Sequence, residues 1–123
     1  MITTFQKSAL IAAVMLLSAT SAFAHAEFVK STPAPDSTIT ASPNEIDITF
    51  SEAIDLKFSG AKLADSMNMD IATGAASLAK GGDITLVIPI TKPLVAGDYV
   101  VAWRNLSKDG HKLKGSFKFT VKP

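Results

Sequence analysis

Short runs in which apolar and polar residues alternate recur along most of this chain. The clearest is residues 45–50, where Ile46, Ile48 and Phe50 fall on one face. A period of two residues is typical of a β-strand with one buried face. Similar runs predict strands at residues 25–30, 58–63, 83–90, 97–105 and 116–121.

The spacing of these runs predicts an all-β domain. No segment after residue 24 keeps the 3.6-residue apolar period of a helix over a helix's length. Residues 31–37 carry prolines and small polar residues, which are typical of a turn, and residues 65–82 fit a short strand within loops. Six or seven short strands separated by turns indicate a single β-sandwich or small barrel.

Three residues in the run 97–105 have predicted structural roles. Tyr99 begins a strand just after a turn, as in the tyrosine corner of immunoglobulin-like sandwiches, where the hydroxyl bonds to the preceding backbone. Trp103 falls on the same face by alternation, so we predict that it packs in the core. Arg104 falls on the opposite face, where we expect a salt bridge with a nearby acidic residue.

The first 24 residues have the pattern of a secretory signal peptide. Lys7 precedes an apolar run at 9–17, and residues 22–24 form a small-x-small cleavage pattern, which predicts that the mature chain begins at His25. Residues 24–26 repeat that pattern, so cleavage before Glu27 remains an alternative. The apolar run is shorter than the roughly 20 residues that span a bilayer.

The composition argues against highly charged partners and rules out disulfide bonds. Removing residues 1–24 leaves 99 residues, enough for one domain, with 11 Lys and Arg against 11 Asp and Glu. This charge balance gives no support for a nucleic-acid partner or an acidic membrane surface, which need concentrated positive charge. The chain has no cysteine, so its core must hold the fold without disulfides, and methionine is the soft metal ligand that it offers.

The two histidines and one nearby carboxylate are the candidate metal ligands. Cleavage before His25 would give that residue a free α-amine beside its imidazole, while Asp109 and His111 lie two residues apart in a polar turn. If the fold joins these segments, three nitrogens and one carboxylate oxygen could bind one metal ion. Such nitrogen-rich ligation favours Cu(II). The turn alone would equally suit an aspartate that accepts a backbone hydrogen bond beside an exposed histidine.

Several motifs occur together along the chain. They are an alanine-histidine cleavage junction, Ser31-Thr32-Pro33, Phe50-Ser51-Glu52, residues 58–63, and a series formed by Tyr99, Val101, Trp103, Arg104, Ser107, Asp109, His111, Gly115, Phe119 and Val121. In this combination the whole chain resembles the CopC (PcoC, YobA-like) family of periplasmic copper-resistance proteins.

The resemblance implies a seven-stranded Greek-key β-barrel or sandwich of immunoglobulin type. It also implies that Cu(II) is bound by His25, through its amine and ring, and by Asp109 and His111, and we expect one ion per mature chain. Glu52 falls where family members place an acidic residue near this site, where it would orient the amine or a bound water. The family analogy suggests a CopD-type inner-membrane copper protein as partner.

The loop at 65–70 departs from the methionine-rich members of that family. Met67 and Met69 supply two thioethers without a histidine, which are too few for a closed Cu(I) site. Ordinary packing explains them equally well. They are therefore weak Cu(I) candidates, and the chain resembles the branch that binds Cu(II) alone.

The resulting hypothesis is a monomeric periplasmic carrier or buffer of Cu(II) that is not an enzyme and whose mature chain does not insert into a membrane. Two alternatives remain. A copper monooxygenase would also use an N-terminal histidine amine and a second histidine. A metal-free immunoglobulin-like interaction domain would give the N-terminus no role.

Overall fold

The computed structural model describes residues 25–123, so the predicted signal peptide, residues 1–24, lies outside the described residues. Between residues 25 and 123 the backbone forms nine β-strands and a 3₁₀ helix, Leu56–Phe58. The strands are β1 (Phe28–Thr32), β2 (Ser37–Ile39), β3 (Glu45–Phe50), β4 (Gly60–Asp65), β5 (Asp70–Ile71), β6 (Ser77–Leu78), β7 (Thr85–Pro89), β8 (Gly97–Leu106) and β9 (Lys112–Val121).

These strands form two sheets that enclose one core. One sheet has the order β1-β3-β7-β6, and the other has the order β2-β9-β8-β4-β5. Neighbouring strands are antiparallel except β2 and β9, which are parallel. β8 and β9 are ten residues each and pair along their full length. The turn between them, residues 107–111, therefore lies at one end of the sandwich.

The inward faces of the two sheets form the core, as the alternation predicts. Ile46, Ile48 and Phe50 of β3 are buried, and so are Tyr99 and Trp103 of β8. The Trp103 ring meets the Phe50 ring edge-on, with centroids 5.1 Å apart. Burying one large apolar side chain contributes about 1.5–3 kcal/mol. The predicted core position of Trp103 is confirmed, and this core stabilises a chain that has no disulfide.

The predicted fold class is confirmed, but the described residues hold more strands than seven. Besides the six alternating runs there are three strands of two or three residues each, β2, β5 and β6. Residues 65–82 hold two of these where one short strand was predicted, and β2 was not predicted. β9 begins at Lys112 rather than at residue 116, because two lysines and Gly115 interrupt the apolar pattern at its start. Backbone pairing with β8 extends the strand through these residues.

The tyrosine corner is also confirmed. Tyr99 is buried, and its hydroxyl donates a hydrogen bond of 2.6 Å to the carbonyl oxygen of Val95 in the preceding turn. This contact anchors the start of β8 at the end of the sandwich opposite the 107–111 turn. Across residues 25–123, no helix is long and apolar enough to cross a membrane.

Candidate metal centre

The turn at 107–111 is organised by one buried hydroxyl. Ser107 is 2% exposed, and its Oγ donates a 2.7 Å hydrogen bond to Oδ1 of Asp109 and accepts a 3.1 Å bond from the backbone N–H of His111. The Ser107 N–H also donates to the His111 carbonyl at 2.8 Å. Gly110 adopts a φ of 99°, which favours glycine. The turn therefore holds Asp109 and His111 side by side, with Nδ1 of His111 3.6 Å from Oδ1 of Asp109.

The N-terminal segment reaches this turn and brings His25 against His111. The two imidazole rings meet edge-on, with centroids 4.8 Å apart and an angle of 73° between their planes. Asn105, which is 2% exposed, donates a 3.0 Å hydrogen bond from Nδ2 to the carbonyl of Ala26. Ser51 contributes its backbone N–H to the Glu27 carbonyl at 2.9 Å, and its Oγ accepts the Glu27 N–H at 2.9 Å. These bonds fix the two residues that follow His25.

The three predicted ligands differ from core residues in their access to solvent. The side chains of His25, Asp109 and His111 are 38%, 53% and 53% exposed. The hydrogen bond from Ser107, and then the one from His111, holds the pKa of Asp109 below its ordinary value. The carboxyl group is thus an ionised acceptor at neutral pH, and an ion can reach all three side chains from solvent.

Two further acidic residues, Glu52 and Glu27, lie near the candidate ligands. Glu52 lines a surface depression of about 250 Å³ together with Ser107 and Asp109. Glu27, which the sequence reasoning missed, places Oε2 4.0 Å from Nδ1 of His25. Its position two residues after a candidate ligand on an extended segment is a signal that could have identified it. Asn105 had no such signal, because its role depends on contact with a residue far away in sequence.

Two imidazoles and one carboxylate lie together here, and they are fewer donors than a metal site needs from side chains alone. Within residues 25–123, no three side chains of His, Cys, Asp and Glu stand together in an arrangement that could hold a metal ion. The α-amine that cleavage before His25 would create is a further possible donor, and it is a backbone group rather than a side chain. In the uncleaved chain the corresponding nitrogen of His25 is a peptide amide, whose lone pair is delocalised into the carbonyl.

Met67 and Met69 do not join this site. They lie between β4 and β5, are 79% and 62% exposed, and share a turn in which both backbone N–H groups donate to Oδ1 of Asp65. Asp65 pairs with Tyr99 at the start of β8, whereas the 107–111 turn follows the end of that ten-residue strand. The methionines and the histidines are therefore separated by about 25 Å along the sheet.

The prediction that Arg104 forms a salt bridge is wrong among the described residues. The ion pairs among residues 25–123 join other residues, and none involves this guanidinium. Arg104 instead lies over Gly60 of the neighbouring strand: a β-carbon at residue 60 would stand 3.1 Å from Nη1 and Nη2 of the guanidinium.

Comparison with known proteins gives the same family from sequence and from structure. The model of the CopC domain matches residues 28–122. Copper resistance protein C of Pseudomonas syringae pv. tomato is 44% identical over 118 residues, which cover 92% of each chain. Protein YobA of Escherichia coli K12 is 38% identical over 102 residues, covering 83% of this chain and 82% of YobA. The crystal structure of PcoC, a methionine-rich copper resistance protein from Escherichia coli, superposes with a TM-score of 0.73 at 38% identity, covering 80% of this chain and 100% of PcoC. This chain therefore belongs to the CopC family.

Proposed function

We propose that the mature chain begins at His25 and carries one Cu(II) ion in the periplasm, bound between its N-terminus and the 107–111 turn. The observation that supports this most directly is the contact between the His25 and His111 rings, whose centroids are 4.8 Å apart although the residues are 86 positions apart in the sequence. Asp109 adds a carboxylate beside His111, at 3.6 Å.

The donor set fits Cu(II) better than other divalent ions. The α-amine and Nδ1 of His25 would form one chelate ring, His111 would add a third nitrogen, and Asp109 would add an oxygen. Nitrogen-rich ligation with one carboxylate is typical of Cu(II) among divalent metals. An α-amine has a pKa of about 7.7–8.0, so binding at neutral pH would release part of a proton.

Signal-peptide cleavage completes the site in this proposal. While residues 1–24 are attached, the nitrogen of His25 is an amide and cannot act as an amine ligand. Cleavage before His25 would create the amine, and cleavage before Glu27 would remove the residue altogether. Copper binding is thereby limited to the exported, processed chain.

The names of the relatives support copper as the ion that is carried, since two of those compared above are called copper resistance proteins. We propose that this chain is a monomeric carrier or buffer without catalytic activity, and that it passes copper to an inner-membrane protein of the CopD type. The monooxygenase alternative gains no support from the site. Tyr99 and Trp103 are 3% and 8% exposed, so they offer no aromatic surface to a substrate.

Replacement of His111 tests this proposal. Mature protein beginning at His25 would be titrated with Cu(II) against a chelator of known affinity, and the paramagnetic resonance spectrum would be recorded. We expect one tight Cu(II) per chain with coupling to several nitrogens. His111→Ala should weaken binding by more than the roughly 10–100-fold that follows loss of an outer partner of a ligand.

Lys108 offers a matched control because it lies in the same turn and its ammonium pairs with Asp83, at 3.8 Å, rather than with the histidines. Lys108→Ala should leave the affinity and the nitrogen coupling unchanged. Unchanged affinity in His111→Ala would contradict the proposed site.

A further inference from the structure

A positively charged groove lies directly beside the 107–111 turn. It has a volume of about 510 Å³ and runs between the 3₁₀ helix, the end of β8 and the start of β9. Four of the residues that line it are basic and two are apolar: Lys57, Arg104, Lys112, Lys114, Phe58 and Leu113. Lys112 is the residue that follows His111, so the groove and the proposed copper ligands are adjacent along the backbone.

Two of these cations lie directly opposite each other on neighbouring strands of the sheet. Arg104 of β8 pairs directly with Lys114 of β9, and on its other side with Gly60 of β4. Like charges directly opposite on neighbouring strands are destabilising. Such a pair is costly to the isolated fold, and an anion bound between the two strands would offset that cost.

The absence of a side chain at Gly60 leaves room for the guanidinium of Arg104. A β-carbon at residue 60 would stand 3.1 Å from both terminal nitrogens and 3.3 Å from Cζ, so the guanidinium lies flat against the strand where the side chain is missing. Resting there, Arg104 is positioned before any ligand arrives. A positioned guanidinium can bind a carboxylate through two parallel hydrogen bonds at a smaller entropy cost.

The basic residues of the groove form no ion pairs among the described residues. Within residues 25–123, the ion pairs involve His25, Lys108 and His111, and none involves a basic residue of the groove. The predicted mature chain has 11 basic and 11 acidic residues, so four cations at one groove are a local excess within a neutral domain. A concave surface lined by one sign of charge attracts the opposite sign.

The apolar residues of the groove favour an acidic protein segment over a simple anion as its ligand. Phe58 is 52% exposed, and the ammonium of Lys57 lies 5.7 Å from the centre of its ring. A free phosphate or carboxylate would use the cations and leave Phe58 in water. A flat bilayer would meet the rim of a groove of this volume rather than its walls. An extended chain with acidic residues around one apolar side chain would use both the cations and the ring.

We propose that this groove binds an acidic segment of the protein that exchanges copper with the 107–111 turn, through carboxylates that flank one aromatic or aliphatic side chain. The identity of the partner as a copper-exchange protein rests on the proposed function, whereas the binding of an acidic segment does not. Docking there would place the partner one residue away from His111.

The test is a titration of the copper-free mature chain, labelled with nitrogen-15, with an acetylated and amidated pentapeptide of four glutamates around a central phenylalanine. We expect shifts of the backbone amides at residues 57–58, 104 and 112–114. Arg104→Gln should weaken binding by about 1.4-fold to fivefold, the range of one exposed ion pair. Gly60→Ala should have a similar effect without a change of charge, because the added methyl group displaces the guanidinium.

Lys62→Gln is the matched control, since this exposed lysine lies on β4 but does not line the groove. Its affinity for the peptide should equal that of the parent chain, and a peptide with glutamine in place of glutamate should not bind. Equal affinities of the parent, Arg104→Gln and Gly60→Ala chains would overturn the proposal. Binding to phosphatidylglycerol vesicles without binding to the peptide would overturn it in favour of a lipid surface. Because copper is absent, the result is independent of the titration that tests the metal site.

Discussion

Replacing Ser107 with alanine should damage the copper site without removing any proposed ligand. The hydroxyl donates to Asp109 at 2.7 Å and accepts the N–H of His111 at 3.1 Å. The first contact orients the carboxylate that we propose to bind copper, and the second fixes the backbone that carries the His111 imidazole. Loss of a group that orients a metal ligand lowers affinity by about 10–100-fold, and we expect Ser107→Ala to fall in this range. The pKa of Asp109 should also rise toward its ordinary value, because the Ser107 hydrogen bond is the main cause of its depression.

The cost in stability follows from the same two hydrogen bonds. Each bond contributes about 0.5–1.5 kcal/mol net, so the substitution should destabilise the fold by about 1–3 kcal/mol. For a domain of about 100 residues, each 1 kcal/mol lowers Tm by about 4–8 °C. Thermal unfolding of the copper-free chain measures this loss separately from the metal affinity.

Ser59→Ala separates the two effects. Ser59 is 5% exposed, and its hydroxyl also makes two hydrogen bonds, donating to the Asp55 carbonyl at 2.7 Å and accepting the Leu106 N–H at 3.1 Å. Its removal should cost a similar amount of stability and leave Cu(II) affinity near that of the parent chain. The reasoning fails if Ser107→Ala and Ser59→Ala show the same Cu(II) affinity in competition titrations.

Three further substitutions test the core, the pH dependence and the methionine loop. Gly115→Ala would place a β-carbon 2.5 Å from Cζ2 of Trp103, so denaturant unfolding should show a loss of about 1–3 kcal/mol or more; an unchanged midpoint would contradict this packing. Burial raises the pKa of Asp47 to about 6 from 3.8, so the contribution of this carboxyl group to stability should be lost as pH rises from 3.8 to 6. Asp47→Asn should remove this contribution, and an identical pH dependence of stability in the two chains would refute it. Replacing Met67 and Met69 together by leucine should leave Cu(II) affinity unchanged in the same titration, and a loss would show that the loop belongs to the Cu(II) site.

Alternation was sufficient to predict the long strands because each has one buried face. Residues 45–50 and the run from Tyr99 to Trp103 show this directly. The short strand β2 could not be found in this way, because three residues are too few to display a period and its pairing with β9 is set by the tertiary fold.

The sequence indicated the candidate ligands, but it did not indicate the residues that hold them in place. His25 and His111 are the two histidines of the sequence, at a predicted cleavage junction and in a polar turn, and Asp109 lies two residues before His111. Asn105 and Ser51 hold the N-terminal segment through hydrogen bonds to the carbonyls or N–H groups of residues distant in sequence, and a backbone partner leaves no mark in the amino-acid pattern. The Arg104 salt bridge failed as a prediction for a related reason, since Gly60 offered the guanidinium a place that local sequence could not reveal.

The central claim is that the α-amine of His25 binds copper, and one competition titration tests it directly. The mature chain beginning at His25 would be compared with the same chain preceded by a single glycine. The added residue converts the amine of His25 into a peptide amide, which removes one strong ligand and its chelate ring while leaving both imidazoles and Asp109 in place. We predict one Cu(II) per native chain, partial proton release on binding, and a sharp loss of affinity in the extended chain. Equal affinities of the two chains would contradict the account.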